Sequence, residues 1–115
     1  MSLVSVPTFT ATIYVGSYDK RNHKFADDSS IIDCCMEYVN DVGLCVSISK
    51  THFIYTDGME AGHAIGLINY PRFPSEPEDI KQKALALAKI LKKKAGQERV
   101  SVVFSDETIM LDGYD

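Results

Sequence analysis

Apolar and polar residues alternate strictly between Phe9 and Gly16. A period of two predicts a half-buried strand, because successive side chains of a strand point to opposite faces of a sheet. Further β-type segments run from Leu44 to Thr56, from His63 to Tyr70 and from Arg99 to Ser105, and a short one runs from Thr108 to Leu111. The pattern therefore predicts five strands.

A different period follows the first strand and a polar loop over residues 17–27. Apolar residues recur every three or four positions, which is typical of an amphipathic helix. Asp28 or Ser29 supplies the cap at its start, and Gly43 ends it, where a left-handed residue is favoured. The predicted apolar face consists of Ile32, Cys35, Met36, Val39 and Val42.

A second helix is predicted from about Pro77 to Gly96. Ser75 and Glu78 have the spacing of a capping box, and proline is favoured in a first helical turn. The run Lys92–Lys94 falls in the last turn, where cations complement the helix dipole. The apolar stripe consists of Ile80, Ala84, Leu87 and Leu91.

The order of these elements predicts the fold class. We expect an α+β, ferredoxin-like βαββαβ two-layer sandwich with a short extra C-terminal strand and two helices on one face of an antiparallel sheet. Residues 1–115 should form a single domain, with 1–7 and 112–115 frayed. The predicted core consists of Ile13, Val15, Ile32, Met36, Val46, Ile48, Leu67, Leu87, Leu91 and Val102.

Composition excludes several classes of protein. The chain has 115 residues, of which 45% are hydrophobic and 24% charged, so disorder is not expected. A net charge of −4 argues against a nucleic-acid partner, and no apolar run is long enough for a membrane helix. The odd set Cys34, Cys35 and Cys45 is a poor disulfide framework. We therefore expect a soluble, cytoplasmic protein with free thiols.

The sheet face that points away from the helices is predicted to be small and uncharged. Such a face lets a second sheet approach closely, and we expect a homo-oligomer that packs through it. A plain solvated face and a platform for a flat ligand are the alternatives. The predicted face consists of Thr10, Thr12, Tyr14, Ser47, Ser49, Thr51, Ala64, Gly66, Ser101 and Ser105.

Two histidines are candidates for a metal site. Asp57-Gly58 is typical of a two-residue type I′ turn, and that turn would place His52 opposite His63. A structural zinc site needs four ligands, however, and only Cys45 is nearby in the predicted sheet. Stacked neutral histidines at the sheet rim are the favoured interpretation, and no cofactor is otherwise expected.

Basic and aromatic residues suggest a site for a small anion. Arg72 follows a strand end, and Lys20 and Arg21 lie in the loop after the first strand. A planar guanidinium suits phosphate or carboxylate. With Tyr14 and Tyr70, these residues form the candidate ligand site, and solvated loop charge is the alternative.

Three resemblances bear on function. Ile13-Tyr14-Val15-Gly16 resembles the first strand of the RNA-recognition motif, which stacks a base at the position of Tyr14. The third strand should then present aromatic residues on the same face. Ala64 and Gly66 stand there instead, so RNA is not the expected partner.

The segment Leu44-Cys45-Val46-Ser47 and the turn Tyr55-Thr56-Asp57-Gly58 resemble the CutA and PII-like group of trimeric ferredoxin-like proteins, although this turn lacks the family's Trp. That resemblance covers roughly residues 30–95 and implies a trimer whose sheets pack inward and whose ligands bind between subunits. The stretch from Gly66 to Pro74 resembles short uncharacterised proteins of tailed phages. It implies expression in a bacterial cell and a role against host systems.

Together these patterns favour a non-enzymatic, oligomeric binding or interaction protein, encoded by a phage and acting in the bacterial cytoplasm. It would bind a small anionic ligand between subunits, or a host protein. The alternative is a small enzyme or metal-binding protein with an inter-subunit site. No residue is predicted to be catalytic, because no nucleophile, base and orienting group converge in the predicted fold.

Overall fold

The computed structural model describes residues 1–114. Its elements are β1 (Thr10–Gly16), β2 (Tyr18–Asp19), β3 (Lys24–Phe25), α1 (Asp28–Val42), β4 (Ser47–Tyr55), β5 (Gly58–Ile68), α2 (Pro77–Lys94), β6 (Arg99–Phe104) and β7 (Thr108–Asp112). Five strands form an antiparallel sheet in the order β4-β5-β1-β6-β7, and β2 and β3 pair separately. Both helices pack on one face of this sheet, so the predicted α+β class is confirmed.

The centre of the core lies on β1. Ala11, Ile13 and Val15 are fully buried, as the alternating pattern predicts. Ile13 pairs with Ile65 of β5 on one side and with Val102 of β6 on the other. Each fully buried side chain of this size contributes roughly 1.5–3 kcal/mol to the free energy of folding. Helix α2 packs against this core through its predicted apolar stripe. All four residues of the stripe are buried: Ile80, Ala84, Leu87 and Leu91.

The apolar face of α1 differs from the prediction. Ile31 and Cys35 are buried, whereas Ile32 is 42% and Met36 is 55% exposed. Because Ile31 and Ile32 are adjacent, two stripes one residue apart both satisfy the helical period, and the stripe through Ile31 faces the sheet. The helix is also capped one residue earlier than predicted, by the carboxylate of Asp27. The predicted burial of Ile32 and Met36 is therefore wrong.

Helix α2 begins without the predicted capping box. Glu76 precedes its first turn and makes no capping bond, while the Ser75 N–H donates to Asn69 Oδ1 at 2.9 Å. At the other end, Gly96 adopts the left-handed conformation, with φ 62. The run Lys92–Lys94 lies in the last turn, as predicted, and Lys92 is buried there.

The turn of the hairpin between β4 and β5 lies one residue earlier than predicted, which changes each pairing partner by two residues. Tyr55 pairs with Gly58, so the two-residue turn is Thr56-Asp57, with Asp57 in the left-handed region at φ 62. Asparagine and aspartate tolerate this conformation better than most residues. Every pair along the hairpin moves with the turn, and Lys50 instead of His52 stands opposite His63.

Residues 17–27, predicted to be a loop, contain the short β2–β3 ribbon, in which Tyr18 pairs with Phe25. At the other end of the chain, Asp112 belongs to β7, and Asp115 of the predicted frayed tail lies outside the described residues. No helix in residues 1–114 is long and apolar enough to cross a membrane.

Candidate functional site

A concave surface with four charged side chains lies at the C-terminal end of β1. There Gly16 pairs with Gly62 of β5, and the start of β6 lies alongside. A cleft of about 210 Å³ opens at this point, which we call the β1-end cleft. It is lined by Tyr18, Lys20, Glu60, Gly96, Gln97, Glu98, Arg99 and Tyr114.

Gly16 brings two polar side chains together in this cleft. A Cβ at this position would lie 2.7 Å from Gln97 Oε1 and 2.9 Å from Glu60 Oε1, closer than real Cβ contacts allow. The absent side chain is therefore what lets Glu60 and Gln97 converge. Gln97 is held in place because its Nε2 donates to the carbonyls of Tyr18 and Ala95, at 2.7 and 3.0 Å.

Some charged side chains of the β1-end cleft form ion pairs and one carboxylate does not. Arg99 is held between Glu98 and Asp112, with N···O distances of 3.1 and 3.0 Å. Glu60 forms no ion pair with any residue in the range 1–114. Its carboxylate is thus free to face a cationic group of a ligand.

A second polar cluster lies on the helix side of the same sheet end. His63 is only 4% exposed, and its Nε2 lies 2.8 Å from Asp28 Oδ1, while its Nδ1 lies 3.4 Å from Ser17 Oγ. Lys50 Nζ lies 2.7 Å from the other carboxylate oxygen of Asp28. Hydrogen bonds from Lys50 and then from His63 lower the pKa of the Asp28 carboxyl.

This cluster ties the first turn of α1 to β4 and β5. Because Ser17 is buried and its contact with His63 is long, the arrangement does not present an activated nucleophile. The cluster thereby connects Ser17, the residue after Gly16, to the first turn of α1.

The predicted ligand residues do not all converge. Lys20 lines the β1-end cleft, and Arg21 stacks over the ring of Tyr114, with its guanidinium carbon 3.4 Å from the ring centroid. Tyr70 and Arg72 lie beyond β5, at the opposite end of the sheet, because Thr10 pairs with Ile68 there. The seven residues of β1 span roughly 20 Å between these ends.

The remaining predicted residue, Tyr14, lies on the sheet face away from the helices and packs edge-on against Phe53, with ring centroids 6.1 Å apart.

At the opposite end of the sheet, burial, followed by a hydrogen bond with Cys45, raises the pKa of Tyr70 to about 12. Ligand binding by these residues stays a prediction.

The predicted pairing of His52 with His63 is wrong. His52 pairs with Ala61, because the turn is one residue earlier than expected, and His63 Nε2 is engaged by Asp28. Within residues 1–114, no group of three or more histidine, cysteine or acidic side chains is arranged to hold a metal ion.

Sequence reasoning missed Glu60, Gln97 and Tyr114. Glu60 was the one with a readable signal, since it is a carboxylate in a strand whose other residues, apart from His63, are small or apolar. Gln97 and Tyr114 depend on contacts between distant parts of the chain, which no local pattern shows.

The chain is similar in structure to a phage SAM lyase. The complex of that enzyme with S-methyl-5′-thioadenosine aligns with a TM-score of 0.79 and 20% sequence identity, covering 100% of this chain and 98% of the other. The apo state of a phage SAM lyase aligns with a TM-score of 0.74 and 22% identity, covering 93% and 92% of the two chains. No family model and no curated protein matches the chain.

These matches correct one hypothesis and support another. Both solved structures are of an enzyme, which contradicts the non-enzymatic binding protein favoured by the sequence and supports its alternative, a small enzyme. The resemblance to phage proteins is also supported, whereas the CutA and PII-like resemblance stays a prediction. At this level of identity, what the matches establish is the fold.

Proposed function

We propose that this chain is an enzyme that cleaves S-adenosylmethionine and releases S-methyl-5′-thioadenosine without adding water. The observation that carries the proposal is the alignment of the whole chain with a SAM lyase that holds this thioether. When the outer strand β7 is left aside, the strand order is β4-β5-β1-β6. This order also supports the ferredoxin-like assignment of the fold.

The reaction breaks the bond between the sulfonium sulfur and the γ-carbon of the amino-acid side chain. The electron pair of that bond stays on sulfur, which leaves as a neutral thioether. The four-carbon fragment compensates either by attack of its own carboxylate on the γ-carbon, which closes a lactone, or by loss of a β-proton to a general base, which leaves a carbon–carbon double bond. In both routes charge is dispersed or neutralised, so a site that excludes water and positions the fragment favours the reaction.

The β1-end cleft offers groups suited to this substrate. A sulfonium carries positive charge but no hydrogen to donate, so carboxylates and aromatic faces are the groups that recognise it. Glu60 supplies an unpaired carboxylate, and Tyr18 and Tyr114 line the same cleft. We assign Glu60 to the positive end of the substrate.

The cleft of one chain is small for this substrate. Its volume of about 210 Å³ lies below the roughly 300–1,000 Å³ of typical ligand pockets. We therefore propose that a second copy completes the site, with the small-residue sheet face as the contact. Thr12 and Gly66, and Ser49 and Ala64, lie side by side on that face. The trimer implied by the CutA and PII-like resemblance, like the cytoplasmic location, is part of this proposal.

The test is the rate of S-methyl-5′-thioadenosine release by Glu60→Gln compared with Glu37→Gln. Glu37 lies on α1 and lines a different groove, so its replacement makes the same chemical change away from the cleft. We expect kcat/KM to fall about 100-fold for Glu60→Gln, by analogy with loss of one preorganised electrostatic contact. Equal activity of the two folded variants would contradict the assignment of Glu60, and an inactive wild type would contradict the proposed function.

A further inference from the structure

A second cleft shares Gln97 and Tyr114 with the β1-end cleft and is lined mainly by cations. It has a volume of about 230 Å³, and we call it the Lys92 cleft. It is lined by Arg21, Lys92, Lys93, Gln97 and Tyr114. Three of these five side chains are cations, and none is a carboxylate. We infer that the Lys92 cleft binds an oxyanion of the phosphate class.

The burial of Lys92 is the first step of the argument. This lysine is 4% exposed, and within residues 1–114 its ammonium group forms one hydrogen bond, to the carbonyl of Gly113, and no ion pair. An ammonium group has three donors, and removing it from water is unfavourable unless its charge and its donors are compensated. An anion in the cleft would supply both.

Arg21 is the second step, because its guanidinium is already oriented. It stacks over the ring of Tyr114 at 3.4 Å, and a stacked guanidinium keeps its N–H groups in a fixed plane. Little side-chain entropy is then lost when those donors meet an oxyanion. Lys93, from the same helical turn as Lys92, adds a third positive charge at the rim.

The nearby carboxylates are already engaged. Asp19 accepts the backbone N–H groups of Arg21 and Asn22 and the side-chain amide of Asn22, at 2.9, 3.2 and 2.8 Å. Glu98 and Asp112 are held by Arg99. Glu98 and Asp112 therefore do not neutralise the Lys92 cleft, whereas Asp19, which interacts electrostatically with Arg21, offsets part of its positive charge.

The test is a titration with inorganic phosphate at constant ionic strength, followed by two-dimensional amide NMR of the full chain. We expect saturable shifts of the amide signals of Lys92, Lys93 and Tyr114. Arg21→Gln should weaken phosphate binding about tenfold, the effect of losing one charge-assisted hydrogen bond. Lys94→Gln is the matched control, because Lys94 is in the same helical turn but lines another groove, and it should change affinity less than about twofold.

The second variant, Lys92→Met, should abolish the saturable response to phosphate. If Lys92→Met does not fold, the comparison of Arg21→Gln with Lys94→Gln still decides the test. Linear shifts without saturation, or equal weakening by Arg21→Gln and Lys94→Gln, would overturn the inference. Adenosine 5′-monophosphate in a parallel titration distinguishes the source of the anion: tighter binding than phosphate indicates a nucleotide, and equal binding indicates the free anion. The experiment contains no S-adenosylmethionine, so its failure would leave the proposed function unaffected.

Discussion

Replacing Gly16 with alanine perturbs the β1-end cleft with a single methyl carbon. The new Cβ would lie 2.7 Å from Gln97 Oε1 and 2.9 Å from Glu60 Oε1. Since relaxed contacts are about 3.5 Å, both oxygens must move by about 0.6–0.8 Å. The backbone of Gly16 does not have a positive φ, so alanine adds no backbone strain there.

We expect this substitution to change stability little and to lower activity strongly. Both displaced oxygens are at the ends of flexible side chains, and alanine also reduces the entropy of the unfolded chain by an equivalent of about 0.4–1 kcal/mol. We therefore expect the free energy of unfolding to change by less than about 1 kcal/mol. Displacements of this size exceed the tolerance of a positioned site, so kcat/KM for S-methyl-5′-thioadenosine release should fall about 10–100-fold.

The measurements are thermal unfolding followed by circular dichroism and steady-state release of the thioether. Gly43→Ala is the control with the reverse pattern. Gly43 has φ 70 and nothing within 4 Å of an added Cβ, so alanine there should cost about 1 kcal/mol of stability without altering the cleft. Wild-type kcat/KM in a folded Gly16→Ala variant would refute the placement of the site.

Three further predictions concern the core, the thiols and the sheet face. Leu87→Ala should lower the free energy of unfolding by about 2–5 kcal/mol in chemical denaturation, because Leu87 is fully buried, and unchanged stability would contradict the packing of α2. At pH 8 the exposed Cys45 should react with a thiol reagent in the folded protein, whereas Cys35, whose pKa burial raises to about 11, should react only on unfolding. Because the folded pKa of Cys35 is raised, its contribution to stability should decline as pH rises above about 9. Ser49→Lys should dissociate the proposed oligomer in light-scattering measurements, since an unpaired buried charge costs several kcal/mol, and a monomeric wild type would contradict that interface.

Local patterns predicted the elements of the fold, because burial in this chain follows the periods of strand and helix. Alternation along β1 identified Ile13 and Val15, and the stripe of α2 identified Leu87 and Leu91, all of which are buried. The pattern of α1 was ambiguous, because the adjacent pair Ile31-Ile32 satisfies two stripes. Only packing against the sheet distinguishes them.

The candidate site was less predictable, because distant segments form it. Moving the hairpin turn by one residue placed Lys50 opposite His63, and a contact across 35 positions of sequence brings Asp28 to the same histidine. Lys20 and Arg21 were identified from their charge, and both line clefts at the end of β1. Arg72 has the same chemistry, but the antiparallel pairing of β1 and β5 places it at the other end of the sheet.

The central claim is that the chain releases S-methyl-5′-thioadenosine from S-adenosylmethionine as a lyase. The most direct measurement is mass spectrometry of the products formed by the purified wild-type chain with S-adenosylmethionine, quenched promptly over a time course. The account predicts that the thioether accumulates to many equivalents per protein molecule, together with a four-carbon fragment that lacks the elements of water relative to homoserine. S-adenosylmethionine that remains intact, or a first-formed fragment that contains oxygen from labelled water, would contradict it.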